Sequence, residues 1–340
     1  MTHALTTPDD LVTAGLSTED PTLLTRVAQE FRIRITPEMQ IGAGPITAQF
    51  VPSVAELTTL PEELADPIGD EAHSPVKGLT HRYPDRVILH ITKTCDVYCR
   101  FCFRRETVGE TGPLPAPDLD AALDYIAATQ AIREVVLTGG DPLTLSPRRL
   151  RDVLTRLDVL PHLAMVRFHT RVPVVAPERI TPELTQLIAG LRLAPWMVLH
   201  TNHAAELTPN ARTALARLVD AGIPVISQSV LLRGVNDSAE ALAELFTTLS
   251  ALRVKPYYLH HCDLARGTSH FRTTIDEGRA LMRALRGRIS GHCLPTYVLD
   301  IPGGHGKVPI SAEYFAQQST GHWKVTDWQG RIHDYLDPKR

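Results

Sequence analysis

Six short runs rich in β-branched and aromatic residues recur through the middle of the chain: RVILHIT from Arg86, EVVLTG from Glu134, MVRFHT from Met165, MVLHT from Met197, IPVISQS from Ile223 and KPYYLH from Lys255. A segment of helical period follows each: LDAALDYIAATQ, SPRRLRDVLTRL, TPELTQLIAGL, TPNARTALARLVDAG, AEALAELFTTLSALR and IDEGRALMRALRGRI. Six strand–helix units at a spacing of roughly thirty residues require parallel strands joined by crossover helices. Runs this continuously apolar read as strands covered on both faces. Six units are fewer than the eight of a closed barrel. The expectation is an α/β fold, a partial open (β/α)6 TIM-like barrel over residues 81–310, with a doubly wound open sheet as the alternative. Residues 1–80 read as a mostly helical extension, with helical stretches at Asp9–Leu16 and Asp20–Phe31 and a segment at Pro61–Asp66 able to start a third. Residues 311–340 read as a C-terminal segment carrying a short hairpin.

Either architecture gathers its functional groups at the C-terminal ends of the strands. Cys95 lies just past the first run and Gly139-Gly140-Asp141 ends the second. His169 and Arg171 end the third, His200 and Asn202 the fourth, Gln228 the fifth, and Cys262 and Asp263 follow the sixth. Chemically able side chains therefore fall on one rim, which points to an enzyme.

Composition narrows the class. Hydrophobic residues make up 43% and charged residues 21%, ordinary for a globular chain, and Lys+Arg 35 against Asp+Glu 38 leaves no basic surplus for nucleic acid. No segment approaches the ~18 consecutive apolar residues of a membrane span, and the N-terminus lacks a signal-peptide pattern. Five cysteines, an odd number, do not make a secreted disulfide framework, so a reducing cytoplasm is the expected compartment.

Three of those cysteines fall within eight positions, Cys95, Cys99 and Cys102, as C-x3-C-x2-C. Thiolates suit iron–sulfur clusters or zinc. Structural zinc wants four ligands, usually as two C-x2-C pairs, and no second pair exists because Cys262 and Cys293 stand alone. Three ligands leave a 4Fe–4S cluster with one iron open. C-x3-C-x2-C with an aromatic residue before the last cysteine resembles the radical S-adenosylmethionine enzymes, in which S-adenosylmethionine chelates that open iron. LTGGDP (Leu137–Pro142) resembles the glycine-rich segment that receives its amino group, which implies Gly139, Gly140 and Asp141 as cofactor-binding residues.

A second set of motifs narrows the resemblance. HRYPDRV (His81–Val87), CRFCFRR (Cys99–Arg105), SQSVLLRGVND (Ser227–Asp237), PYYLHHCDLARGTSHFRT (Pro256–Thr273) and DIPGGHGKVPI (Asp300–Ile310) are all similar to the lysine 2,3-aminomutase family. The resemblance implies pyridoxal phosphate as a second cofactor, with Lys307 holding its aldehyde and Arg82, Arg86 and Gln228 its phosphate. Taken alone, Lys307 would read as a solvated surface lysine. It further implies Arg104 on the α-carboxylate of free L-lysine, for which its planar fork is suited, and Asp263 and Asp300 on the distal ammonium. The implied reaction is radical migration of the α-amino group from C2 to C3, giving β-lysine. A glutamate-specific relative should lack the aspartate pair. Implied partners are a flavodoxin- or ferredoxin-type reductant and a second copy of the chain in a homo-oligomer.

Departures from the family pattern bear on these expectations. Ser238 stands where the family has a zinc-ligating cysteine after GVND, and no cysteine-rich tail follows Tyr335-Leu336-Asp337-Pro338, so no zinc is expected. His260 replaces a usual tyrosine, and His305 interrupts a glycine run. CRFCFRR is also similar to the short relatives that act on a lysine residue of elongation factor P, and Asp300 favours a free amino acid over that target. Free arginine would equally satisfy two aspartates. From another class, an iron–sulfur electron-transfer protein would need Cys262 or Cys293 to close the cluster.

Overall fold

The computed structural model describes residues 3–41, 44–110, 112–311 and 313–338. Three helices, α1 (Pro8–Thr13), α2 (Pro21–Glu30) and α3 (Pro45–Phe50), belong to the N-terminal extension. The first two match the expected stretches. Pro61–Asp66 does not start a helix: Leu64 instead makes a strand-like bridge to Ala265, its N–H donating to the Leu264 carbonyl at 2.7 Å.

Strand β1 (Leu79–Tyr83) precedes seven parallel strands: β2 (Arg86–Thr92), β3 (Glu134–Gly139), β4 (Met165–Thr170), β5 (Ala194–His200), β6 (Val225–Leu231), β7 (Lys255–His261) and β8 (Thr296–Asp300). A short β9 (Lys307–Pro309) follows. The sheet runs β1 to β9 in simple order, with β1 and β9 antiparallel to their neighbours. No pairing joins the two edges among the described residues, so the barrel is open.

The crossovers carry α4 (Ala116–Ala128), α5 (Pro147–Asp158), α6 (Val172–Val175), α7 (Pro182–Ala189), α8 (Pro209–Asp220), α9 (Ala239–Ala251) and α10 (Ile275–Leu285). Several begin with a hydroxyl cap followed by proline, which lacks the N–H that would be orphaned there. Thr181 accepts from the Leu184 N–H at 3.3 Å and Thr208 from the Ala211 N–H at 3.1 Å. Six strand–helix units are thus present as expected, plus TYVLD of β8, a seventh parallel strand with no helix after it.

Each helix turns an apolar stripe to the sheet. In α5 this is Leu150, Val153, Leu154 and Leu157, all buried, each contributing about 1.5–3 kcal/mol. On β2 the alternate residues Val87, Leu89 and Ile91 join that core. Arg86, Ile88, His90 and Thr92 therefore face the other side, the barrel lumen. The C-terminal segment forms β10 (Phe315–Ser319), β11 (His322–Thr326) and β12 (Ile332–Leu336), a separate antiparallel sheet of three strands rather than the expected hairpin. Among the described residues no helix is long and apolar enough to cross a membrane.

Candidate active site

The cysteine loop leaves β2 and is tied down from several sides. The Gly140 N–H donates to the Thr92 carbonyl at 2.5 Å and the Asp141 N–H to that of Thr94 at 2.9 Å. A Cβ on Gly140 would lie 2.3 Å from the Thr94 carbonyl oxygen, and Gly139 has φ +104°. Both glycines are thus needed where β3 packs on the base of the cysteine loop. The Asp141 carboxylate accepts from the Thr170 hydroxyl at 2.8 Å and from the N–H groups of Arg171 at 2.7 Å and Leu143 at 3.0 Å. Its lone pairs are committed within the protein, joining the β3 turn to the end of β4. Burial nevertheless pushes this carboxyl up to about 6.

Cys95, Cys99 and Cys102 line one small cavity with Phe31, Arg32 and Arg105 and interact electrostatically with one another. Burial pushes all three thiols up, Cys102 to about 11. Cys99 is opposed by Arg171, whose Nη1 donates to its Sγ at 3.0 Å. Behind the loop, Arg100 and Arg105 share the carboxylate of Glu56, Arg100 through Nη2 at 2.6 Å. All three side chains are buried, and the two guanidiniums hold Glu56 below the usual carboxylate range against the opposing effect of burial.

Across the lumen the expected substrate and cofactor residues form two charged groups. Arg104 grips Asp70 with Nε and Nη2, both at 2.8 Å, and Arg82 approaches the same carboxylate at 3.6 Å while donating to the Ile68 carbonyl. Lys307 pairs with Asp300, which also accepts from His260 Nδ1 at 3.1 Å. Burial opposes ionisation of Asp300, but the His260 hydrogen bond and the Lys307 ammonium hold its carboxyl down at about 2. Asp263 belongs to the same group: burial, then the Asp300 charge, pushes its carboxyl up to about 7. The backbone N–H of Lys307 donates to the Tyr83 hydroxyl at 3.2 Å, so β1 touches β9 across the barrel's open seam.

Two expected residues stand apart. Arg86, at the start of β2, pairs with Asp85 at 2.7 Å and stacks on the Tyr83 ring, so it shares no partner with Arg82. Gln228 does not end its strand, because β6 continues to Leu231; it lies mid-strand beside His200.

Family models match two parts of the chain: Radical SAM superfamily over residues 89–246 and Lysine-2,3-aminomutase over residues 282–340. The chain is 40% identical to the L-lysine 2,3-aminomutase of Fusobacterium nucleatum over 331 residues, 95% of this chain and 78% of that one. It belongs to the lysine 2,3-aminomutase family. The L-lysine 2,3-aminomutase of Clostridium subterminale is likewise 40% identical, covering 95% and 79%. A glutamate 2,3-aminomutase of Clostridioides difficile is 34% identical, covering 93% and 76%. The chain is therefore a radical SAM aminomutase, an isomerase, and membership implies a 4Fe–4S cluster and S-adenosylmethionine.

The residues present fit that cluster. Among the described residues no three His, Cys, Asp or Glu could hold a single metal ion, whereas a cluster takes each cysteine on a separate iron. Arg171 Nε is buried with no protein partner, a donor left over beside the cysteines. Cys262 packs with Phe101, Val235 and Phe271, and Cys293 lies in the main core. Ser238 caps α9, accepting from the Ala241 N–H at 3.1 Å.

Buried polar atoms without protein partners also mark the lumen: Nε2 of His169, His200 and His260, and Nε of Arg82. Such atoms are what a polar ligand satisfies. Gln49, Glu56 and Asp70 were not among the sequence candidates, although each is buried or nearly so and pairs with an arginine of the site. They lie in irregular or short helical segments whose pattern carries no trace of a distant partner.

Proposed function

We propose that this aminomutase moves the α-amino group of free L-lysine from C2 to C3, with pyridoxal phosphate as its second cofactor. The observation supporting this reading is the charge interaction of Asp263 with Asp300, in a group that Lys307 and Arg104 also influence. A buried carboxylate pair costs several kcal/mol unless a cation neutralises it, so a neutral or acidic substrate tail is disfavoured there. Lys307 supplies that cation in the ligand-free protein. Lys307 would hold the pyridoxal aldehyde, and the substrate's distal ammonium would then occupy its place on Asp300. Arg104 then exchanges Asp70 for the substrate carboxylate, and Arg82, with its free Nε, offers a donor to the cofactor phosphate.

The bound cofactors supply a radical able to take hydrogen from an unactivated carbon and an aldehyde to carry the migrating nitrogen. The chain's own residues bind, orient and exclude water. His260 holds Asp300 through Nδ1, which leaves Nε2 of the neutral ring as a buried acceptor without a protein partner.

The test is anaerobic turnover of the reconstituted enzyme with S-adenosylmethionine, pyridoxal phosphate, dithionite and free L-lysine, read by mass spectrometry. β-Lysine is the expected product. Methionine and 5′-deoxyadenosine without β-lysine would overturn lysine as substrate, and β-arginine or an altered elongation factor P in parallel reactions would name the replacement.

A further inference from the structure

We propose that Arg171 is a positioning residue for the iron–sulfur cluster, holding its reduction potential up through a charge-assisted hydrogen bond to the Cys99 ligand. This rests on the three cysteines carrying the cluster.

The guanidinium is fixed through both terminal nitrogens and both faces. Nη1 donates to Cys99 Sγ at 3.0 Å, and Nη2 donates to Glu206 Oε2 at 2.6 Å and Gln49 Oε1 at 2.5 Å. Its faces meet the rings of Phe50, 4.6 Å from the centroid, and Phe101, 5.4 Å away. The anchors are themselves anchored. Gln49 donates to Glu206 Oε1 at 3.0 Å and accepts from Asn202 Nδ2 at 2.9 Å, while the Asn202 N–H donates to Glu206 Oε1 at 2.8 Å. Arg171 is only 5% exposed, and Glu206 and Gln49 are fully buried.

Four elements (α3, the turn after β3, the end of β4 and the loop after β5) thus converge to hold one cation against one thiolate. Reduction adds an electron to the cluster and makes its sulfurs better acceptors. A cationic donor at Cys99 therefore stabilises the reduced state more than the oxidised one, and does so strongly in a buried site. A lysine could not replace it, because a single ammonium lacks the planar fork that meets Cys99 and Glu206 together.

The test is an EPR-monitored redox titration of reconstituted protein with dithionite. Removing Arg171 alone would leave Glu206 buried and unpaired, so Glu206→Gln and the double variant Arg171→Met/Glu206→Gln are compared. Glu206→Gln deletes the counter-charge and keeps the donor, and its cluster should titrate at a higher potential than wild type. In the double variant, the ratio of reduced to oxidised cluster at the Glu206→Gln midpoint should fall about tenfold, or about 59 mV for a one-electron couple. Equal potentials in the two variants, at equal iron and sulfide content, would overturn the proposal. If the double variant loads no cluster, Glu206→Gln decides: an unshifted potential overturns the role and a raised one supports it. A wild-type chain that binds no 4Fe–4S cluster would be a different failure, that of the cysteine assignment itself.

Discussion

Lys307 and Asp263 carry opposite demands at one rim. On the proposed reading Lys307 leaves Asp300 to take up a carbonyl, and its removal by Lys307→Ala should abolish the pyridoxal absorbance band while cluster content stays at wild-type level. Retention of the band would remove Lys307 from its role. Asp263 sets a pH dependence. Its carboxyl lies near 7 because of burial and the neighbouring Asp300, so only about a tenth is ionised at pH 6. A cationic substrate needs the ionised form, and kcat/KM for lysine should fall about fivefold from pH 7 to pH 6, with Asp263→Asn slower but flat over that range. Folding shows the reverse sign. A carboxyl raised in the native state contributes stability below its unfolded value near 4, and that contribution is lost as pH rises through 7. Lysine kinetics at the two pH values check the first claim and urea midpoints the second.

Where β3 meets the cysteine loop, the fold of an element and the placement of the site are the same thing. Gly140→Ala would push a methyl group onto the Thr94 backbone, which cannot swing aside as a side chain could. The expected cost is about 2 kcal/mol, with weakened S-adenosylmethionine binding because the loop base moves. Gly222→Ala is the control: with φ +79° and open space around it, it should cost about 1 kcal/mol and leave cofactor binding alone. Urea unfolding and equilibrium dialysis read both effects. The six strand–helix units were legible because apolar runs and helical stripes are periodic, and the cysteines and glycines because their spacing is local. Strand β8 was not, since TYVLD has no helix behind it, and a three-stranded sheet with mostly exposed strands leaves too little apolar alternation to separate it from a hairpin. Asp141 follows β3 directly in the chain, but its engagement by Thr170 and Arg171 depends on a strand the local motif does not contain.

Taken whole, the extension of residues 1–80 is tied to the barrel by charge pairs and hydrogen bonds. The extension supplies Glu56 to Arg100 and Arg105, Asp70 to Arg104 and Arg82, and Gln49 to Arg171. Each of these arginines is buried or nearly so in the barrel, and a buried charge stripped of its partner costs about 3–5 kcal/mol. Glu56 alone answers for two of them, so its loss would absorb much of the 5–15 kcal/mol that typically holds a domain folded. A chain beginning at Gly78 should therefore fail to give a monodisperse barrel that loads iron. Adding residues 1–77 as a separate peptide should not restore it, because α3 and the Ile68–Asp70 segment must order against the cysteine loop as that loop forms. Size-exclusion chromatography with iron and sulfide assays measures this directly. A shortened chain that stays monodisperse and loads wild-type iron would show that water can replace Glu56 and Asp70, and the arginines would then owe their positions to the barrel alone.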